Sequence, residues 1–333
     1  MTYPLHNEKG RYFSIFWFIF NMGSVIGSVV VFALNFRQDA DVIAVPLHNS
    51  SYIVLASLEA AGAACALLLV PLDEVTRDGV MYVCILEETD THTEAMEMFM
   101  LFRDKWILLL VPMFVVSNFF YTYEWAQING AIFNQRTRAF NSIVYWISQI
   151  IAVFAVSFVY DCEPLSRRKR GLVLVAIVAV LANVMWGCAL AFQVIYLDRS
   201  VSSGLFGFNG VLIDFTQAER AAAPTLLFCF MGIVGALWQS LAYWLIGAIT
   251  NDVQSLTRYA GFYKCIQSLG AMVAWQLEAQ AVSHLAQIIV NWSIHVAALP
   301  FMLYFIHSIK DEYDIEAERN KFKIHPANFI DIA

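Results

Sequence analysis

Residues 106–171 read WILLLVPMFVVSNFFYTYEWAQING (106–130), AIFNQRTRAF (131–140), NSIVYWISQIIAVFAVSFVY (141–160) and DCEPLSRRKRG (161–171). They form an apolar run, a short polar turn, a second apolar run and a short basic loop. Each run is about 20 residues long, which at roughly 1.5 Å of rise per residue crosses a bilayer core as a helix. Arg167, Arg168, Lys169 and Arg170 follow one another in the loop. Four adjacent cations between two spans predict that this loop faces the cytoplasm.

Working outward, the whole chain is apolar: 59% of its 333 residues are hydrophobic and 14% charged. Soluble domains carry about 25% charged residues, so an all-α polytopic membrane protein is expected, with the lipid bilayer as its first partner. The net charge of −7 sits mostly in loops and does not suggest nucleic acid. The first ten residues are polar and the apolar run behind them is long enough to span, so no cleaved leader is expected. Eight spans are predicted, at Tyr12–Asn35, Ser51–Val70, Trp106–Asn129, Phe140–Tyr160, Gly171–Ile195, Pro224–Ile249, Tyr259–Val282 and Leu285–His307. The polar tail after His307 is expected to be partly disordered. Cys65, Cys188, Cys229 and Cys265 fall in spans, and Cys84 and Cys162 in loops of the basic side, which predicts apolar packing and no disulfides.

The cations fix a predicted orientation. With the N-terminus inside, the inner set is Lys9, Arg11, Arg77, Arg103, Lys105, Arg167, Arg168, Lys169, Arg170, Arg258, Lys264, Lys310, Arg319, Lys321 and Lys323. Arg37, Arg136, Arg138, Arg199 and Arg220 fall outside, so the split is 15 against 5. Both termini are therefore expected in the cytoplasm. Asn49-Ser50-Ser51 is a glycosylation sequon in the first outer loop, and Asn49 is the expected acceptor.

An acid closing one span and a basic cluster opening the next, as in Asp161 and Arg167–Arg170, resembles the loop motif of the major facilitator superfamily. SNFFYTYEW (117–125), FNQRTRAFNSIVYW (133–146), YWLIGAITND (243–252) and YAGFYKCIQSLG (259–270) resemble its fungal Unc-ninety-three-like branch, the ion-channel-regulator domain. The resemblance runs from about Glu8 to about Trp292. It implies a bundle of two six-span halves with solute held between them. On that pattern the first four spans are missing. Residues 1–71 would be two spans ending the N-terminal half, 72–105 an acidic, solvated cytoplasmic linker, 106–307 the six-span C-terminal half and 308–333 a cytoplasmic tail. The resemblance also implies that Asp161, Arg167, Arg168 and Arg170 clamp helix ends in one state and release them in another. The resemblance further implies Gln at the position of Glu124, Asp at that of Gly235 and Arg at that of Gln276, so this chain departs from the family's pattern there.

Helical periodicity at about 100° per residue selects the candidate cavity residues. Asn118, Thr122 and Asn129 share one face of the third span, and Glu124 lies on another. Two polar faces predict that this segment lines a cavity or unwinds. Tyr145 lies on the polar face of the fourth span, Gln239 and Tyr243 on that of the sixth, and Lys264 and Gln267 on that of the seventh. Glu59, about 12 Å inside the second span, and Glu124 are candidate proton sites. Each has an alternative reading as a neutral or snorkelling acid. Lys264 likewise either reaches the cytoplasm or serves inside. Gly23, Gly27, Ser24 and Ser28 form a small-residue face suited to close helix contact. His295 reads as a hydrogen-bonded structural residue, with a proton relay as the alternative. No metal-ligand spacing, phosphate loop, nucleophile elbow or paired catalytic carboxylates occur, so no enzyme, metal or cofactor is expected. Two functions follow: a secondary transporter of an unidentified small solute, or a non-transporting regulator that binds another membrane protein.

Overall fold

A computed structural model describes residues 9–37, 49–69, 76–77, 80–81, 90–162, 164–198, 211–249 and 253–309. Cys84, Arg199 and the tail after residue 309, all read above, lie outside them. The long helices are α1 (Lys9–Asn35), α2 (Asn49–Ala66), α4 (Lys105–Phe119), α5 (Gln135–Tyr160), α6 (Arg167–Phe192), α7 (Ala218–Ile249), α8 (Val253–Ala279) and α9 (His284–Ser308). A short α3 (Thr91–Met100) precedes α4, and β1 (Thr76–Arg77) pairs antiparallel with β2 (Val80–Met81).

Among the described residues, six segments are long and apolar enough to cross a membrane: Gly10–Asn35, Lys105–Gly130, Gln135–Tyr160, Arg167–Leu197, Ala218–Ile249 and His284–Ser308. The protein is an integral membrane protein. α2 and α8, also expected as spans, are helices of 18 and 27 residues but are more polar. Asn49, Ser50, Ser51 and Glu59 lower the hydropathy of α2. Gln254, Arg258, Lys264, Gln267, Gln276 and Glu278 do the same in α8.

Several helices start earlier than apolarity alone predicts, and their caps give the reason. Asn134 accepts from the Thr137 amide and starts α5. Ser166 accepts from the Lys169 amide at 3.4 Å, so the basic cluster expected in a loop is the first turn of α6. The stretch expected to be solvated linker contains α3. Glu94 of α3 receives Arg258 Nε at 2.9 Å and Nη2 at 2.7 Å, and Glu97 receives Nη1 at 3.3 Å. This paired arginine ties α3 to the start of α8, so that part of the segment is held on the bundle.

α4 packs mainly on α8 and α9, α7 on α5 and α6, α6 on α9, and α1 on α5. Among α4–α9, exchanging α4, α5 and α6 for α7, α8 and α9 maps the main pairings onto themselves: α4–α8 becomes α7–α5, and α4–α9 becomes α7–α6. Two apolar clusters fill the six-helix body. One surrounds Trp238, Tyr263 and Met302, the other Trp186, Phe228 and Tyr123. α1 joins through Phe13, Ser14, Trp17 and Asn21, spaced for one helix face and buried against α5 and α7. α2 touches the rest mainly along α1 and is exposed over almost its whole length.

Candidate functional site

The site begins where α4 gives way to a π-helix, Tyr123–Gly130. A π segment inserts extra backbone into the turn and shifts side-chain phase, a device common at functional sites. Its phase shift turns Asn129 off the face assigned to it with Asn118 and Thr122. Asn118 points to α8. Thr122 is buried, and its hydroxyl has no hydrogen-bond partner among the described residues. Asn129 accepts from Asn141 Nδ2 at 3.2 Å and donates to the Arg138 carbonyl at 3.2 Å. Asn141 in turn accepts from Thr225 at 3.0 Å. This second network staples α5 and α7 to the π segment.

The other candidates converge. Gln267 Nε2 lies 3.0 Å from Asn118 Oδ1, 3.3 Å from Gln239 Oε1 and 3.1 Å from the Tyr263 hydroxyl. Gln239 Nε2 donates to the Tyr121 hydroxyl at 3.0 Å. Lys264 Nζ donates to Gln267 Oε1 at 2.9 Å and stands 5.5 and 5.3 Å from the ring centres of Tyr243 and Tyr263. Helices α4, α7 and α8 thus share one polar cluster within the bundle. One turn beyond Tyr121, Glu124 is fully buried; its Oε2 accepts from the Tyr145 hydroxyl at 2.8 Å, and its Oε1 has no partner among the described residues. Gln149, also buried, has neither side-chain polar atom satisfied there. Tyr145 lies flat on α7, where a Cβ at Gly232 would stand 2.9 Å from its ring. The slot at Gly235 is taken by the Phe120 ring, 2.9 Å from where a Cβ would be.

Glu59 lies elsewhere. It lines a cavity of about 510 Å³ with Gly23, Ser24, Gly27, Ser28 and Trp146, between α1, α2 and α5. Asn49 is exposed at the first residue of α2. His295 sits among the rings of Phe120, Trp186 and Trp238, its Nδ1 on the Asn291 carbonyl at 2.7 Å. Cys65, Cys162, Cys188, Cys229 and Cys265 are free.

α1 is held at both ends. At one membrane face the Asp161 carboxylate accepts from the amides of Gly10 at 2.7 Å and Arg11 at 2.8 Å. A carboxylate here meets the unsatisfied amides and the positive end of the α1 dipole. Beside it, Arg170 donates to the Tyr160 carbonyl at 2.7 Å and Arg167 to the Gly247 carbonyl at 3.1 Å, while Arg168 meets the His307 ring. Three cations of α6 therefore sit at the C-terminal ends of α5, α7 and α9, where helix dipoles favour them.

At the opposite face Asp214 accepts from Arg136 Nε at 2.5 Å, Asn134 Nδ2 at 2.7 Å and Thr216 Oγ1 at 2.7 Å. Arg136 also donates to the Phe36 carbonyl at the end of α1, at 3.2 Å. Burial pushes the Asp214 carboxyl up, but the bonds from Arg136, Asn134 and Thr216 outweigh it and hold the group well below the usual carboxylate range. A depressed folded-state value stabilises above the unfolded value of about 3.9 and is lost as pH falls through the folded value. Asp214→Asn should therefore lower the melting midpoint at pH 7 and at pH 5 alike, with the gap closing only in strong acid. A gap already closed at pH 5 would contradict this clamp.

Asp214, Tyr121 and Tyr263 are residues that periodicity missed as site residues. Asp214 lies outside any helix, and the other two were hidden in apolar or aromatic surroundings.

Over 314 residues, 94% of this chain and 66% of the relative, the sequence is 36% identical to UNC93-like protein 1 of Arabidopsis thaliana. The homologues of this chain are UNC93-like proteins. A second UNC93-like protein, from Schizosaccharomyces pombe, is 34% identical over 300 residues, 90% of this chain and 58% of the relative. A protein of Aspergillus versicolor named for the notoamide biosynthesis cluster is 25% identical over 280 residues, 84% of this chain and 58% of the relative. The chain thus spans about two thirds or less of the length of these UNC93-like and other relatives. No family model matches it, and no solved structure does.

Proposed function

We propose that this UNC93-like chain forms the greater part of a major facilitator-type secondary transporter, not an enzyme, that moves a small solute. In this reading eight helices span the membrane, both ends face the cytoplasm, α1 and α2 complete a first half, and α4–α9 are the second half. The observation that carries it is the helix-pairing scheme. Its invariance under exchange of α4–α6 for α7–α9 matches the paired inverted repeats from which such halves are built. The Asn118, Gln239, Lys264 and Gln267 cluster is the solute seat, with Tyr243 beside it. Asp161 and the arginines of α6 form the gate at the cytoplasmic end.

Glu124 is the proton site in this reading. Its carboxyl is buried, with Tyr145 its hydrogen-bond partner among the described residues, and a charge there would be costly. Opening of the cavity would let it ionise. The test is uptake into proteoliposomes of four solutes that cross lipid poorly: phthalate, glutamine, glucose and choline. An imposed pH gradient should drive at least one above equilibrium, and a protonophore or Glu124→Gln should reduce it to equilibration. No accumulation of any, or full accumulation by Glu124→Gln, would contradict the reading.

One observation favours the second reading, a regulator that binds another membrane protein. α2 leaves Ile53, Leu58, Glu59 and the flank of the 510 Å³ cavity open. That surface would suit a partner helix if no solute is carried.

A further inference from the structure

We propose that the solute is a small organic anion whose carboxylate pairs with Lys264. This rests on the transporter reading and names the class of solute its central cluster takes.

The depth of the amine comes first. Lys264 Nζ is held by Gln267, which touches Asn118. Asn118 is thirteen residues along from Lys105 at the start of α4, or about 20 Å at 1.5 Å per residue. The bilayer core is only about 30 Å thick. The amine is therefore held at mid-bundle depth, away from the mouth that snorkelling would require.

Its partners come second. One of three N–H donors goes to Gln267 Oε1, and the rings of Tyr243 and Tyr263 attract the cation through their faces. Among the described residues no carboxylate lies within ion-pair distance of it. Several carboxylates that face neighbouring helices are engaged elsewhere: Glu124 with Tyr145, Glu94 with Arg258, Glu278 with Gln287, Asp104 with Tyr259. A cation inside a membrane protein is costly unless an anion meets it, and this one retains donors for an anion.

The surroundings come third. Lys264 keeps an exposed surface, and Tyr243 is half-buried beside it. The Tyr243 ring packs against Phe13 of α1, 5.5 Å between centres, and Trp17 lies next to Phe13 at 5.6 Å. A carboxylate on Lys264 would place an apolar or aromatic body against these rings. A cationic solute would be repelled, and a neutral one would leave Lys264 unpaired.

Thermal unfolding of the purified protein in detergent tests this with benzoate, its neutral isostere benzamide and the cation benzylamine. Benzoate should raise the midpoint with concentration, and the other two should not. Lys264→Met should weaken benzoate at least about tenfold, and Lys264→Arg should retain it. No shift with benzoate, an equal shift with benzamide, or an undiminished benzoate shift in Lys264→Met would overturn the proposal. A shift with phosphate or chloride but not benzoate would overturn it too. If Lys264→Met does not fold, benzoate against benzamide on the unaltered protein decides alone. Benzoate binding without uptake of any of the four solutes above would sink the transporter reading and leave the anion site standing. Accumulation of glucose or choline that is indifferent to Lys264→Met would do the reverse.

Discussion

Gly270→Ala is expected to lower the melting midpoint of the protein more than any other single-methyl addition considered. A Cβ at Gly270 would stand 2.3 Å from the Val115 carbonyl oxygen, 3.1 Å from its carbonyl carbon and 3.2 Å from its Cα. All three atoms are backbone of α4, so no rotamer change relieves the overlap. The helices must separate, at a cost at or above the roughly 1–3 kcal/mol typical of overpacking. Separation would also pull Gln267, on α8, away from Asn118 on α4, so solute binding should fall along with stability. Gly23→Ala is the control. Nothing lies within 4 Å of its would-be Cβ, and alanine is favoured over glycine in a helix by about 1 kcal/mol. Detergent melts should show a marked loss for Gly270→Ala and little change or a gain for Gly23→Ala. Equal midpoints for the two variants would mean that α4 and α8 are not in backbone contact.

The sequence pattern reveals faces, and the structure supplies pairings. Asn118, Gln239 and Gln267 were each chosen from the periodicity of their own helix, and they meet across 149 and 28 residues of sequence separation. The same periodicity failed beyond Thr122, where the π segment breaks the 100° step that the reading assumes. The pairing of Glu94 was not legible in its acidic run. Its partner Arg258 stands 164 residues away, and nothing local announces it. Asp214 escaped notice for a similar reason: its ligands Asn134 and Arg136 come from the start of a helix 78 to 80 residues earlier. The arginines of α6 were read as loop because charge marks membrane boundaries. They are helical because Ser166 caps them and because carbonyls of neighbouring helix ends receive the guanidinium groups.

The second large effect is expected at Asp161. Its two oxygens hold the first amides of α1, and the contact is tight: a Cβ on Gly10 would lie 2.6 Å from Tyr160 Cβ and 2.8 Å from Asp161 Oδ1. Charge-assisted bonds to helix amides are among the stronger ones, and losing a cap and a dipole partner costs about 1–2 kcal/mol. Since about 1.4 kcal/mol is tenfold in an equilibrium, Asp161→Ala should shift a closed α1–α5 seam about tenfold toward open. Global stability should change less, because Phe13 and Trp17 still pack on α5 and α7.

That seam is also where a rocking transporter differs most from a fixed binding protein. Ile15 on α1 and Phe158 on α5 are both exposed near this end and can carry spin labels without disturbing the core. Electron-paramagnetic distance measurement between them in proteoliposomes tests the transporter account most directly. The account predicts two distances in the unaltered protein, with the longer one gaining population in Asp161→Ala and changing with an imposed pH gradient. One short distance, the same in both proteins and indifferent to the gradient, would contradict it.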